Sequence, residues 1–165
     1  WMGMTREFFS VAQHCVMLSF LVPAELARYA LFHDAHEAYL GDMPRTLKKQ
    51  TGLGEQYEVV ATIVQSAIHQ KYCVEYPKEE EWDLFCQWDM DFSTCEMLQL
   101  CAKDIRRVQG AMVGNPIPDL RLNPWSSKNA KTHFLTRFYQ LERGVGLEDQ
   151  GVFRDSKLGG SPFRL

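Results

Sequence analysis

The segment 30–42 places several ionisable side chains inside a stretch whose other residues suit a buried helix. Pro23 suits the first turn of such a helix, and Gly41 suits the position just beyond its carboxyl end. Between them the apolar residues recur at intervals of three and four positions, which predicts a helix. Burying His33 and Asp34 there without partners would be costly in free energy, so the segment predicts a metal ion or a hydrogen-bond network.

The spacing within this segment indicates which chemistry it could support. His33 and Glu37 are four residues apart and would share a face, with Asp34 close enough to bind the same ion as His33. An imidazole beside a carboxylate suits a first-row divalent metal, and Glu37 could position or deprotonate a bound water. A His-Asp dipeptide on a helix is more often solvated or paired, and only the apolar surroundings favour a metal site here. The pattern differs from the zincin motif, in which the two histidines are four residues apart and a Glu follows the first. Here His33 and His36 are only three residues apart.

Composition excludes several other classes of function. The chain of 165 residues is long enough for one domain with a core, and its net charge of −3 provides no basic surface for duplex nucleic acid. No apolar stretch reaches the length of a membrane span. The five cysteines are odd in number and form no CxxC pair, which is typical of reduced thiols in a cytosolic protein. We therefore expect a cytoplasmic protein with a small-molecule partner.

Helical periodicity extends along the chain and no strand alternation appears, so we predict an all-α fold, a single bundle of about six helices. The first helix begins with a capping-box pattern, in which Ser10 is the N-cap and Gln13 the N3 residue. The predicted helices cover residues 11–22, 23–41, a short segment after Pro44, 57–72, 77 to about 112, and 124–142. The Gly-rich segment 143–165 is predicted to be a mobile tail.

Further candidate residues lie on the flanking helices. His14, in the first turn of its helix, is by itself best explained as a half-exposed polar residue. The tight connection to the next helix could nevertheless bring His14 toward His33. In the long fifth helix, Asp89 stands in a Trp- and Phe-rich stretch and needs a partner, while Asp91 points roughly to the opposite side.

A basic group follows the proposed metal helix. Arg45, Lys48 and Lys49 could be solvated charges, or they could bind a phosphate group next to the metal. His69, in the last turn of the fourth predicted helix, is interpreted as a surface residue.

The ordered segments 10–14, 33–37 and 41–45, followed by Lys48, resemble the HD-domain metal-dependent phosphohydrolases. More narrowly, they are similar to the bacterial and phage branch related to 5′-deoxynucleotidases. An HD dipeptide alone is a weak signal, whereas this ordered set of helix-borne residues is specific. The resemblance covers roughly residues 1–142 and implies one helical HD-type domain.

The resemblance implies one divalent cation held by four side chains, His14, His33, Asp34 and Asp89. The family's later helix usually has an Ala-Asp pair with a Glu seven residues on. Trp88, Asp89 and Glu96 match that pattern, which favours Asp89 over Asp91. The metal could be Mn, Co, Zn, Mg or Fe.

The same resemblance implies roles in substrate handling. Glu37 matches the acid that handles the attacking water, and Asp42 matches a pocket acid. Lys48 matches a phosphate contact, with Arg45 as a second candidate, and Trp1 fits an aromatic residue of the substrate site. Family members tend to carry an Arg-Trp or Arg-Phe pair shortly before the first His. Here the Arg of that pair, together with a first helix, would precede residue 1, so we expect the domain to be truncated at its amino terminus.

The implied activity is removal of the 5′-phosphate of (deoxy)nucleoside monophosphates by a metal-dependent phosphohydrolase. Two alternatives stay open at this point. One is release of triphosphate from deoxynucleoside triphosphates, and the other is a non-catalytic helical ligand-binding module. The expected partner is a small nucleotide, with no duplex nucleic acid and no membrane, and a homodimer is the oligomer that we favour.

Overall fold

The computed structural model describes residues 4–44, 47–48, 52–101 and 114–144. Within these ranges the regular structure is helical, and the all-α prediction is confirmed for this part of the chain. The only bridge found there is an isolated pair between Thr5 and Cys101, where the Arg6 N–H donates to the Leu100 carbonyl oxygen at 2.9 Å. None of the helices in these ranges has both the length and the apolar character that crossing a membrane would require.

The helices are α1 (Val11–Leu21), α2 (Ala27–Phe32), α3 (Glu37–Leu40), α4 (Leu53–Lys71), α5 (Glu79–Leu100) and α6 (Ser127–Glu142), with one 3-10 turn at Ala24–Leu26. The predicted total of about six helices stays a prediction, because several segments lie outside the described residues. The predictions for Trp1 and Arg45, and for the tail from residue 145 onward, also lie outside them.

Helix α1 is the central element of the core. Its start was predicted correctly, since the Ser10 hydroxyl accepts a hydrogen bond from the Gln13 N–H at 3.1 Å. All seven residues from 13 to 19 are buried, because α2, α5 and α6 all pack against this helix. The chain leaves the helix after Leu21, just before Pro23, whose ring disfavours helical backbone in the preceding residue. Other fully buried side chains come from α2 and α5, among them Ala30, Leu31, Phe92 and Cys95.

The side chain of Gln13 does not return to the N-cap as a capping box requires. It is 1% exposed and instead fastens the segment before α6 to α1. Its Nε2 donates to the Asn123 carbonyl oxygen at 2.9 Å, and its Oε1 accepts from the Trp125 N–H at 2.8 Å. One buried amide therefore satisfies two backbone groups of a connection that has no regular structure.

The predicted continuous helix over residues 23–41 is wrong. Helix α2 ends at Phe32 and α3 begins at Glu37, with a tight turn between them. In that turn the Ala35 N–H donates to the Phe32 carbonyl oxygen, and the Glu37 N–H donates to the Asp34 carbonyl oxygen, both at 3.0 Å. These three-residue hydrogen bonds replace the four-residue bonds of an α-helix, so the predicted ligand segment lies on a turn.

Two helix ends have clear physical causes. Helix α3 ends at Leu40, and it is followed by Gly41, whose φ of +76° favours glycine and whose N–H donates to the Glu37 carbonyl oxygen at 2.8 Å. Helix α5 ends at Leu100. The predicted extension of this helix toward residue 112 is wrong, because Cys101 is already outside the helix. The backbone becomes extended there because it pairs with Thr5.

We predict that Gln13→Ala lowers the free energy of unfolding by about 2–4 kcal/mol. The substitution leaves the Asn123 carbonyl and the Trp125 N–H without their partner, and each loss costs about 1–3 kcal/mol. Urea denaturation in the presence of a chelator would measure the effect. The matched control is Gln87→Ala, whose exposed amide donates to Asp91 at 2.7 Å, and which should change stability by about 0.5 kcal/mol or less. Equal effects of the two substitutions would contradict the role of Gln13.

Candidate metal centre

Three elements bring metal-binding side chains to one point. His14 lies in the first turn of α1, His33 directly follows α2, and Asp89 lies in the middle of α5. One ligand atom from each lies within 4.8 Å of the other two. The His14 Nε2 is 3.3 Å from the His33 Nε2 and 3.2 Å from Asp89 Oδ1. This group could hold a metal ion.

Asp34 adds a second carboxylate beside this group. Its Oδ2 lies 3.1 Å from the His33 Nε2 and 3.9 Å from the His14 Nε2. The structure thus brings together all four residues that the resemblance implied as ligands, and their role as ligands stays a prediction. The half-exposed position expected for His14 is wrong, because that residue is only 9% exposed.

The hydrogen bonds behind the two imidazoles determine which nitrogen atoms carry protons. The His33 Nδ1 lies 2.8 Å from the Ala30 carbonyl oxygen, which can only accept, so Nδ1 is the donor. The His14 Nδ1 likewise donates to Glu96 Oε1 at 2.7 Å. When the rings are neutral, each Nε2 therefore carries a lone pair, which is directed toward the other Nε2 and the carboxylates. A cation is the partner that satisfies all of these donor atoms together.

The environment of Asp89 supports this interpretation. Its Oδ1 is buried, and a described residue supplies it with a hydrogen bond only when His14 is protonated. The His14 Nε2 is 3.2 Å away, but in the neutral ring it has no proton to donate, because Nδ1 carries the proton that is bound to Glu96. With the His14 ring neutral, this buried carboxylate oxygen has no donor, which costs free energy, and a metal ion would remove that cost.

Burial and charge act in opposite directions on the pKa values at this centre. Burial lowers the pKa of His14, but the negative charges of Glu96 and Asp89 raise it by more. The net pKa of His14 is therefore well above the usual value. Burial also lowers the pKa of His33, but the charge of Asp34 outweighs it and the net pKa is raised. Burial would raise the pKa of Asp34, but the neighbouring imidazoles outweigh it and the net pKa is lowered. The field that holds protons on the imidazoles would also attract a divalent cation, so protons and metal compete.

Glu96 is a residue whose contact the sequence analysis did not predict. Its carboxylate is 1% exposed and accepts from the His14 Nδ1, which is the usual way of orienting a metal-binding imidazole. The available signal was an acidic residue in an otherwise apolar stretch, seven positions after Asp89.

Gln65 of α4 was also missed, and it holds the turn that carries His33 and Asp34. Its Nε2 donates to the Phe32 carbonyl oxygen at 2.6 Å, and its Oε1 accepts from the His36 N–H at 3.0 Å. One amide therefore clamps both ends of the turn 33–36. No sequence signal marks this role, because the two ends and Gln65 are brought together only by packing.

His69 lies behind Gln65, and its predicted surface position is wrong. The residue is 3% exposed, and its Nε2 lies 2.6 Å from the Gln65 Nε2. Burial lowers the pKa of His69, so the neutral ring can accept a hydrogen bond from the Gln65 amide.

Glu37 lies at the start of α3, next to the centre. Burial and the negative charges of Asp34 and Asp42 raise its pKa to about 8, and the positive charge of Lys48 partly opposes them. Glu37 is therefore a carboxyl group able to exchange a proton near neutral pH.

Lys48 and Asp42, both predicted to lie in the substrate site, are in the electrostatic neighbourhood of Glu37. The Lys48 Nζ is 3.4 Å from Glu58 Oε1 and 4.9 Å from the centroid of the Tyr57 ring, so helix α4 holds this ammonium group. The Tyr57 hydroxyl donates to the Gly41 carbonyl oxygen at 2.7 Å, which joins the loop after α3 to α4.

No protein-family model matches this chain. A stretch of 70 residues is 44% identical to the uncharacterized protein YfdR of Escherichia coli strain K12. The match spans 42% of this chain and 38% of the length of YfdR. It relates part of the chain to a protein whose name assigns no activity.

We predict that Asp89→Asn removes most of the bound metal and that Asp91→Asn leaves it nearly unchanged. Asp91 lies on the same helix, but its Oδ1 accepts from Gln87 and from the Asn115 N–H at 2.6 Å, away from the centre. Elemental analysis after gel filtration with Mn²⁺ or Co²⁺ would measure the metal content. The reverse result would show that the other aspartate is the ligand.

Metal affinity should increase with pH. His14 and His33 have raised pKa values, so they keep their protons up to a higher pH than free imidazole does. Metal binding needs both Nε2 lone pairs and must displace those protons. We expect up to about a hundredfold gain in affinity per pH unit below these pKa values, and a plateau above them. Calorimetric titration with Mn²⁺ from about pH 6 to about pH 9 would test this, and a constant affinity would contradict it.

Proposed function

We propose that this chain is a metal-dependent phosphohydrolase of the HD-domain type that removes the 5′-phosphate of (deoxy)nucleoside monophosphates. The main support is the convergence of two imidazoles and the Asp89 carboxylate, with the Asp34 carboxylate beside His33 and both Nε2 atoms turned toward the carboxylates. The order of the site residues along the chain, His14, then His33 with Asp34, then Asp89, supports the same family.

These four side chains would hold one divalent cation and leave positions for water and for a phosphate oxygen. Two imidazole nitrogens favour a first-row transition metal over Mg²⁺, because nitrogen ligands suit softer cations. When bound there, the cation would polarise the phosphoryl group and lower the pKa of a coordinated water.

Glu37 would accept the proton of the attacking water. Its position at the start of α3 and its raised pKa, about 8, suit a group that must take up a proton near neutral pH. Positive charge at the centre would bring that pKa closer to neutral, because the carboxylate form is then stabilised. Asp42 contributes part of the negative charge that keeps Glu37 basic.

Lys48 would stabilise the negative charge of the substrate phosphate. Its ammonium group now pairs with Glu58, which is on the surface of α4. A phosphate group carries more charge than one carboxylate, so it could compete for this lysine.

The proposal is tested by incubating the chain with nucleoside mono-, di- and triphosphates in Mn²⁺, Co²⁺ or Mg²⁺. We expect orthophosphate from monophosphates, with the transition metals most active. Inorganic triphosphate as product would instead identify a triphosphohydrolase. A metal-loaded chain that binds nucleotides and hydrolyses none would identify a binding module.

Two substitutions separate chemistry from binding. Glu37→Gln should keep metal content and reduce kcat by roughly two to four orders of magnitude, the usual size of an acid–base contribution. Lys48→Ala should mainly raise KM, because it removes a phosphate contact. Steady-state kinetics with metal analysis would measure both effects, and Glu25→Gln, at an exposed position before α2, is the control. Near-normal turnover of the Glu37 variant would make Asp42 the next candidate.

A further inference from the structure

Helix α4 exposes most of its large aliphatic residues to solvent, while Val64 and Ile68 are half-buried. Only Gly54, Ala61 and His69 of its 19 residues are buried. Four large aliphatic residues are exposed by 47% to 65%, namely Leu53, Val59, Val60 and Ile63. A surface helix normally keeps such residues toward the core, so this outward face has the composition of a helix–helix interface.

The exposed aliphatic side chains form a stripe that is centred on the helix. Val59, Val60 and Ile63 follow the three- and four-residue spacing of one helical face. Ile63 lies eight residues after Glu55 and eight before Lys71, close to the midpoint of Leu53–Lys71. A two-fold axis needs such a centred patch, because each copy must present the same surface to the other.

Antiparallel pairing about Ile63 makes the face complementary to itself. Each residue before Ile63 then faces the residue at the same separation after Ile63 in the other copy. Val59 would meet Ala67, and Val60 would meet Ser66, so large side chains lie against small ones. All four positions are exposed in the structure.

The charges at the two ends of the stripe favour the same arrangement. Glu55 of one copy would face Lys71 of the other, and the two-fold axis would form this pair twice. Both residues are exposed and available at the outer face. A parallel arrangement would instead place Glu55 against Glu55 and Lys71 against Lys71.

We propose that this chain associates with a second copy of itself through the outward face of α4, antiparallel and centred on Ile63. One helix of this length spans about 28 Å, so the contact lies at the small end of specific interfaces. We expect a dimer with a dissociation constant on the order of micromolar. The pairing uses a face that supplies none of the four candidate metal ligands, so it can be tested without reference to activity.

The first test is the mass of the full chain by sedimentation at about 1 to 100 µM. The unmodified chain should reach the dimer mass in this range, and Ile63→Glu should raise the dissociation constant at least about a hundredfold, because two carboxylates would meet at the axis. The matched control is Leu135→Glu at a 41%-exposed site on α6, which should dimerise normally. Circular dichroism would verify that both variants are folded. A monomer at all concentrations, or equal behaviour of both variants, would overturn the proposal.

The second test examines the register. Glu55→Lys and Lys71→Glu should each weaken self-association several-fold, because each variant places like charges opposite one another. Mixing the two variants should restore the dimer, since each introduced charge then faces an opposite charge on the other chain, and the double variant should also dimerise. If neither the mixture nor the double variant regains affinity, the antiparallel register is wrong. If the mass stays monomeric while hydrogen exchange shows α4 protected, the proposal is overturned, because another partner or segment then covers the face.

Discussion

The arrangement of the centre depends on two hydrogen bonds behind the imidazoles. The Ala30 carbonyl and the Glu96 carboxylate each hold an Nδ1 proton, at 2.8 Å from His33 and 2.7 Å from His14. Both Nε2 lone pairs are thereby directed into the space that Asp34 and Asp89 also face. Without these two acceptors the rings could take the other tautomer and would no longer present matched donor atoms. The capacity of the site to hold a metal ion follows from this constraint.

Polar side chains, rather than apolar contacts alone, hold the non-helical segments against the core. Gln13 satisfies the backbone of residues 123 and 125, and Gln65 satisfies both ends of the turn 33–36. A helix satisfies its own backbone groups, whereas an irregular segment needs donors and acceptors from elsewhere. Amides serve well here because one side chain donates and accepts at once. The turn that presents His33 and Asp34 is therefore positioned from α4 as well as from α2.

Helix α4 contributes both to the candidate metal centre and to the proposed dimer interface. Its inward side supplies Gln65 to the ligand turn, and its outward side presents Ile63 and the neighbouring valines. Only three of its 19 residues are fully buried, so the helix buries little apolar area of its own. A second copy on the outward face would supply the burial that this helix lacks, and would stabilise the element that clamps the turn.

The sequence by itself determined the helical class, the start of α1 at Ser10 and the placement of His14, of the adjacent pair His33 and Asp34, and of Asp89 on three separate parts of the chain. These features depend on local periodicity, capping chemistry and the cost of isolated buried charges, which one segment expresses without its neighbours. Only the tertiary structure decided that residues 33–36 form a turn, that α5 ends at Leu100, and that His69 is buried. Each of these depends on a partner distant in sequence: Gln65 for the turn, Thr5 for the end of α5, and the packing of α4 for His69. Contacts between distant segments leave no periodic signal, so spacing alone could not reveal them.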